Sequence, residues 1–171
     1  MTQPRDRVRT IDDVTDAPLH IALVQPEIPP NTGNVARLCA ATGCALHLIE
    51  PLGFSIDDRE LKRAGLDYWH NLGVVIHPSL DAFLERTVQR RRWFFSAHAQ
   101  RPYTRASFAR GDILVFGCET KGLPKTLITR EDERALRIPM RPGSTRSINL
   151  STAVGVVTYA ALAALDFPGL Q

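Results

Sequence analysis

Asn31 and Arg37 stand six residues apart in the stretch Pro29–Arg37 (PPNTGNVAR), so on a helix they share roughly one side. An Arg on the first turns of a helix, beside free N–H groups, makes an anion site. The alternative is a capping Asn and a surface Arg. A second stretch, Leu114–Pro124 (LVFGCETKGLP), ends an apolar run on Gly117 and then presents Glu119. The missing side chain of Gly117 would let a ligand approach the backbone, although Gly and Pro also simply make loops. A third, Ile138–Ser151 (IPMRPGSTRSINLS), puts Arg146, Ser147, Asn149 and Ser151 at the mouth of a helix rich in small residues. Side chains and backbone N–H groups can grip a ligand there. A well-capped core helix accounts for Ser151 and Asn149 but leaves Arg146 and Ser147 unexplained.

Several chemistries are excluded by what these stretches lack. No GxGxxG turn follows the first apolar run, and no GxSxG elbow is present. Residues 117–122 (GCETKG) have the glycine spacing of a P-loop, but Leu123 and Pro124 stand where Lys and Ser/Thr must meet phosphate and magnesium. The histidines and cysteines never fall at paired ligand spacing, so no metal site is expected. An enzyme built on these residues needs an organic cofactor held mainly by backbone.

The elements that must position them read as an α/β pattern. Apolar runs at His20–Gln25, Ala45–Ile49, Val74–His77, Trp93–Ala97, Ile113–Gly117 and Leu136–Met140 predict about six strands. Between them, Asn31 or Thr32 can cap a helix through Ala41 that stops at Gly43. Asp57 can open a short helix ending before Gly65, Ser79 can cap one to about Arg90, and a last helix starts near Leu150. Alternation of this kind implies a mostly parallel sheet with helices on both faces, whose ligands sit beyond the carboxyl ends of the strands. The places to inspect follow Gln25, Ala97, Gly117 and Met140. Residues 1–18 read as a flexible arm and 19–171 as a single domain.

The longest apolar run, Leu150–Leu165, is shorter than a membrane span, and the N-terminus lacks the core of a signal peptide. Three cysteines without a CxxC pair fit a reducing cytoplasm. Net charge is only +3, but its distribution is uneven. Seven arginines (86, 90, 91, 92, 101, 105, 110) lie between Arg86 and Arg110 with no acidic residue among them. Such a run can neutralise phosphates or stack on unpaired bases; it can equally be a solvated surface.

Taken in order, with the stretch Lys62–Trp69 (KRAGLDYW) between the first two, the three segments resemble the SPOUT class of RNA methyltransferases. The resemblance runs from about His20 to Leu165 and is to the small TrmL-type tRNA ribose 2′-O-methyltransferases. It implies a C-terminal trefoil knot, a homodimer, no metal, and S-adenosyl-L-methionine as cofactor. By motif, the cofactor would be held by Phe95, Gly117, Ile138, Met140, Ser147 and Leu150. Asn31, Arg37, Glu119, Ser147 and Asn149 match the active-site positions. For RNA binding the expectation is Arg37, Arg91, Arg101, Arg105 and Arg146. The implied substrate is the wobble nucleotide of leucine tRNAs. Cys118 departs from the Pro common at its position, and the loop before Arg146 is one residue longer than in several relatives. Three other readings stand beside this one: 2′-O-methylation of another tRNA position or rRNA, a non-catalytic RNA-binding module of the same fold, and a plain small-molecule methyltransferase.

Overall fold

A computed structural model describes residues 9–55 and 72–171 of the chain. The helix expected from Asp57, the stretch Lys62–Trp69 and the first eight residues of the arm lie outside these. Among the described residues, seven strands form one sheet: β1 (His20–Val24), β2 (Ala45–Ile49), β3 (Val74–His77), β4 (Arg92–Phe95), β5 (Arg101–Pro102), β6 (Ile113–Phe116) and β7 (Ala135–Arg137). Their order is β3-β2-β1-β6-β4-β7-β5, and the neighbours pair in parallel. Parallel pairing buries both faces, which is why these strands read as near-continuous apolar runs instead of alternating ones.

Among the described residues, four α-helices cover the two faces. Ile21, Leu23, Leu46, Leu48, Leu114 and Phe116 pack against α1 (Pro29–Thr42) and α4 (Leu150–Ala164). The intervening residues Ala22, Val24, Ile113 and Val115 point the other way, against α2 (Leu80–Arg86) and α3 (Lys125–Arg130). Six expected strands are present with ends shifted by a few residues. β5 escaped prediction because it is two residues long and holds a proline, tolerated on the sheet edge.

Three local expectations are corrected. Pro29 and Pro30 occupy the first helical positions, where their fixed φ suits a helix start, so α1 begins two residues before Asn31. Asn31 therefore does not cap; its side chain is available for contacts elsewhere. Helix α2 ends at Arg86 and not near Arg90. Its Leu84 carbonyl accepts from Arg92 Nη1 (2.7 Å) and its Phe83 carbonyl from the Thr87 hydroxyl (2.7 Å), which closes the helix end. Residues 9–18, assigned to a flexible arm, pack on the sheet: the Arg9 N–H donates to Val74 O (2.8 Å) and Val14 is buried.

Candidate active site

The carboxyl ends of β4, β6 and β7 open into a cleft of about 500 Å³, closed on its sides by the loops before α1 and α4. This volume suits an organic ligand of moderate size. Its floor is apolar: Phe95 and Phe116 stack with ring centroids 4.7 Å apart, and Ile138, Met140 and Leu150 complete it. Its rim is polar, with Asn31, Glu119, Thr120, Lys121, Arg146, Ser147 and Asn149. The expected place for a ligand is thus the place where the cleft lies, and all six residues assigned to a cofactor line it.

A hydrogen-bonded row crosses the rim. Glu119 accepts from the N–H groups of Glu27 (2.7 Å) and Ile28 (3.1 Å) and from Asn31 Nδ2 (2.9 Å). Asn31 Oδ1 accepts from Asn149 Nδ2 (3.0 Å), and Asn149 Oδ1 accepts from the Ser151 hydroxyl (2.7 Å) and the Thr152 N–H (3.3 Å). Asn149 is therefore at once the cap of α4 and a partner of Asn31. Because a carboxylate can only accept, Glu119 dictates that Asn31 turn its amide nitrogen inward and its oxygen to Asn149. Three segments, the first and last of them 118 residues apart, are locked into one constellation.

Gly117 is required for a different reason from the one its sequence context offers. A Cβ at this position would stand 2.1 Å from Gly122 C and 2.2 Å from Leu123 N. The chain folds back over the end of β6 and occupies the space itself, with Cys118 and Gly122 paired in an isolated bridge. Gly122, at φ +67°, makes the return.

Of the residues assigned to catalysis, Asn31, Glu119, Ser147 and Asn149 line the cleft; Arg37 is exposed on α1 and is not among the lining residues. The arginine run is only partly available. Arg91 donates from Nε and Nη2 to the two Asp112 oxygens (both 2.8 Å) and from Nη2 to Ser107 O (2.7 Å). Arg101 donates to the carbonyls of Glu133 and Arg105. Both guanidinium groups also lie over the Trp93 ring, whose indole N–H donates to Asp112. Arg91 moreover precedes β4, at the end of the strand opposite the cleft. Its pairing with Asp112 shows as a raised pKa. Arg90, Arg92 and Arg110 likewise bond His20, Leu84 O and Asp16 O. Arg146, exposed, does line the cleft, and Arg105 is exposed away from it.

Sequence reading missed Glu27, Thr120 and Lys121. Lys121 lies inside the second motif and could have been named from it. Glu27 gives no local signal, because its partners stand more than ninety residues away.

The profile of the SpoU rRNA Methylase family matches residues 18–159. The chain is 50% identical over 151 residues to the tRNA (cytidine(34)-2′-O)-methyltransferase of Saccharophagus degradans, covering 88% of this chain and 97% of that one. It is 48% identical over 152 residues to the Escherichia coli K12 enzyme of the same name, covering 88% and 96%. A solved structure concerning 2-OH methylation of C/U34 on tRNA superposes with a TM-score of 0.82 at 49% identity, covering 86% of this chain and 96% of that one. At 19% identity the AdoMet complex of AviRb from Streptomyces viridochromogenes shares the fold, with a TM-score of 0.81 over 93% of this chain and 66% of that one.

Proposed function

The chain belongs to the SpoU rRNA Methylase family, and we propose that it transfers a methyl group from S-adenosyl-L-methionine to the ribose 2′-hydroxyl of tRNA nucleotide 34. The observation that carries this reading is the Glu119–Asn31–Asn149 row on the rim of an apolar cleft, in a chain half identical to enzymes named for that reaction. Leucine tRNAs are the substrates we propose, on the resemblance of the three motifs. The cytoplasm, where tRNA is modified, is the proposed location; no described helix is long and apolar enough to cross a membrane.

The cleft fits the cofactor chemically. An adenine ring asks for apolar faces and backbone partners at its edge, and Phe95, Ile138, Met140 and Leu150 beside Gly117 offer both. Ser147 would serve the polar end. When bound, S-adenosyl-L-methionine supplies an electrophilic methyl carbon. The protein's share is to hold the 2′-hydroxyl in line and to favour loss of its proton as the new O–C bond forms. Asn31 and Asn149 fix the rim on which the ribose would rest. Arg37 is assigned an electrostatic role on the RNA phosphate and the developing alkoxide, because a guanidinium offers only N–H donors and no acceptor for a proton. Arg146 and Arg105 remain as RNA contacts in this reading; Arg91 and Arg101 act mainly to hold the protein together.

A homodimer is part of the proposal. Helix α4 exposes Val156 (39%) and Tyr159 (48%), and Phe167 (39%) lies against Tyr159 with ring centroids 6.4 Å apart. An apolar patch on a helix face signals a partner, and a second copy would cover it while bringing the exposed Arg37 of α1 towards another cleft. Residues 19–171 are taken as the single methyltransferase domain, with the knot of its class. Incubation with tritiated-methyl S-adenosyl-L-methionine and total tRNA from cells lacking the protein tests the reading. Labelled 2′-O-methyl nucleoside is expected; label confined to a base would overturn it.

A further inference from the structure

The loops after β1 and β6 are joined by two carboxylates that act reciprocally. Glu119, on the second loop, accepts from the Glu27 and Ile28 N–H groups on the first. Glu27, on the first, accepts the Thr120 N–H at 3.0 Å and the Thr120 hydroxyl at 2.8 Å. Each loop thus supplies a carboxylate to the backbone of the other. Glu27 itself has a firm seat. The Gly53 N–H donates to Pro26 O (2.9 Å), and a Cβ on Gly53 would meet Glu27 Cα at 2.7 Å, so the loop after β2 backs the segment closely.

The loop after β6 has less of its own to hold it. Between Phe116 and Pro124 it has one isolated bridge, Cys118 to Gly122, and two glycines. Among the described residues, Thr120, at its exposed tip on the cleft rim, is fixed through its N–H and its hydroxyl by Glu27, apart from a 4.0 Å contact with Cys118 Sγ. Hydrogen bonds to a charged acceptor are the stronger kind, and two on one residue define both its position and its orientation.

We infer that Glu27, which does not line the cleft, is a positioning residue for methyl transfer: by holding Thr120 it keeps the loop Gly117–Gly122 where Glu119 can bind Asn31. The inference rests on the transferase reading above. Glu27→Gln keeps one acceptor oxygen for the Thr120 N–H and offers an amide N–H to the hydroxyl oxygen, so it should restore most of what Glu27→Ala removes.

The test uses the full chain, S-adenosyl-L-methionine and tRNA, with steady-state kinetics, calorimetric titration of S-adenosyl-L-methionine and amide exchange read at Thr120. Glu27→Ala should speed Thr120 amide exchange about tenfold or more and lower kcat about tenfold or more, with KM for tRNA within about threefold. Affinity for S-adenosyl-L-methionine should fall by less than kcat does. Glu27→Gln should stay within about threefold of wild type in both kcat and exchange. Because the two residues act as one unit, Glu27→Ala with Thr120→Val should be no slower than Glu27→Ala alone. Wild-type kcat, wild-type exchange at Thr120, or independent multiplicative losses would each overturn the inference. Should Glu27→Ala not fold, Thr120→Val decides: it must lower kcat while melting as wild type does, and an unchanged kcat refutes the inference. A wild-type chain inactive on every tRNA sinks the transferase reading and this inference with it, whereas an active wild type with silent variants sinks this inference alone.

Discussion

At the scale of single residues, Asn31 is the most sensitive probe of the site. It is only 5% exposed and contacts Glu119 and Asn149 through opposite ends of one amide. Asn31→Asp would set a second carboxylate against Glu119 at 2.9 Å, so one of the two must protonate or move. Methyl transfer should fall by at least about tenfold and the melting temperature should drop, consistent with roughly 1–3 kcal/mol for a disrupted buried bond. A variant melting and turning over like wild type would contradict the geometry. Arg37→Lys separates two roles. A lysine can give up its proton more readily, so preserved activity would favour a base; the electrostatic role predicts that most activity is lost with the bidentate geometry. That Asn31, Glu119, Ser147 and Asn149 line one cleft was legible in the sequence, because each lies inside one of the three segments that follow an apolar run. Glu27 was not, since nothing near it in the chain betrays a partner beyond the fold. The pairing of Arg91 was illegible for a related reason: a charge run shows its cations but hides Asp112, which neutralises one of them from another strand start.

Among elements, the loop returning over β6 is the least tolerant of change. Gly117→Ala would drive a methyl group into the backbone of Gly122 and Leu123, and a rigid neighbour of that kind cannot give way. Destabilisation of roughly 1–3 kcal/mol or more is expected, measured as a lowered urea midpoint. Ser79→Ala is a milder control: its hydroxyl accepts from the Ala82 N–H at 3.1 Å, and losing that cap should cost about 1 kcal/mol. The strands were readable because both sheet faces are covered, which turns them into unbroken apolar runs. Helix ends were harder. The start of α1 was set by two prolines that outweighed a good capping residue, and the end of α2 by an arginine from the next strand taking its carbonyl. The first is written locally and can be weighed better; the second is tertiary.

For the whole molecule, a buried row of histidines gives stability a pH dependence that no motif announces. His20 Nδ1 lies 2.9 Å from His47 Nε2, and His47 Nδ1 lies 3.0 Å from His77 Nε2, across β1, β2 and β3. Arg90 can only donate to His20 Nε2 (3.0 Å), which puts the proton on Nδ1 of His20 and, in turn, of His47 and His77. All three rings are fully buried and neutral: burial, and for His20 the charge of Arg90, pushes His20 and His77 down to about 4, and burial pushes His47 well below its ordinary value. The unfolded chain therefore binds more protons between about pH 6.5 and 4, so the row's contribution to stability is complete above 6.5 and is lost as pH falls through that window. His77→Leu should flatten this slope by up to about 1.4 kcal/mol per pH unit, read from urea midpoints; an unchanged slope would show that the row does not titrate on unfolding. The dimer is tested at the same scale: Tyr159→Glu should give a monomer by sedimentation and an inactive enzyme, and an active monomer would remove the second copy from the account. The central claim is methylation of one hydroxyl, and its most direct measurement compares two leucine tRNAs that differ by one atom. With ribose cytidine at position 34, tritium from S-adenosyl-L-methionine should appear in 2′-O-methylcytidine; with 2′-deoxycytidine there, no label should enter. Equal labelling of both would contradict the account.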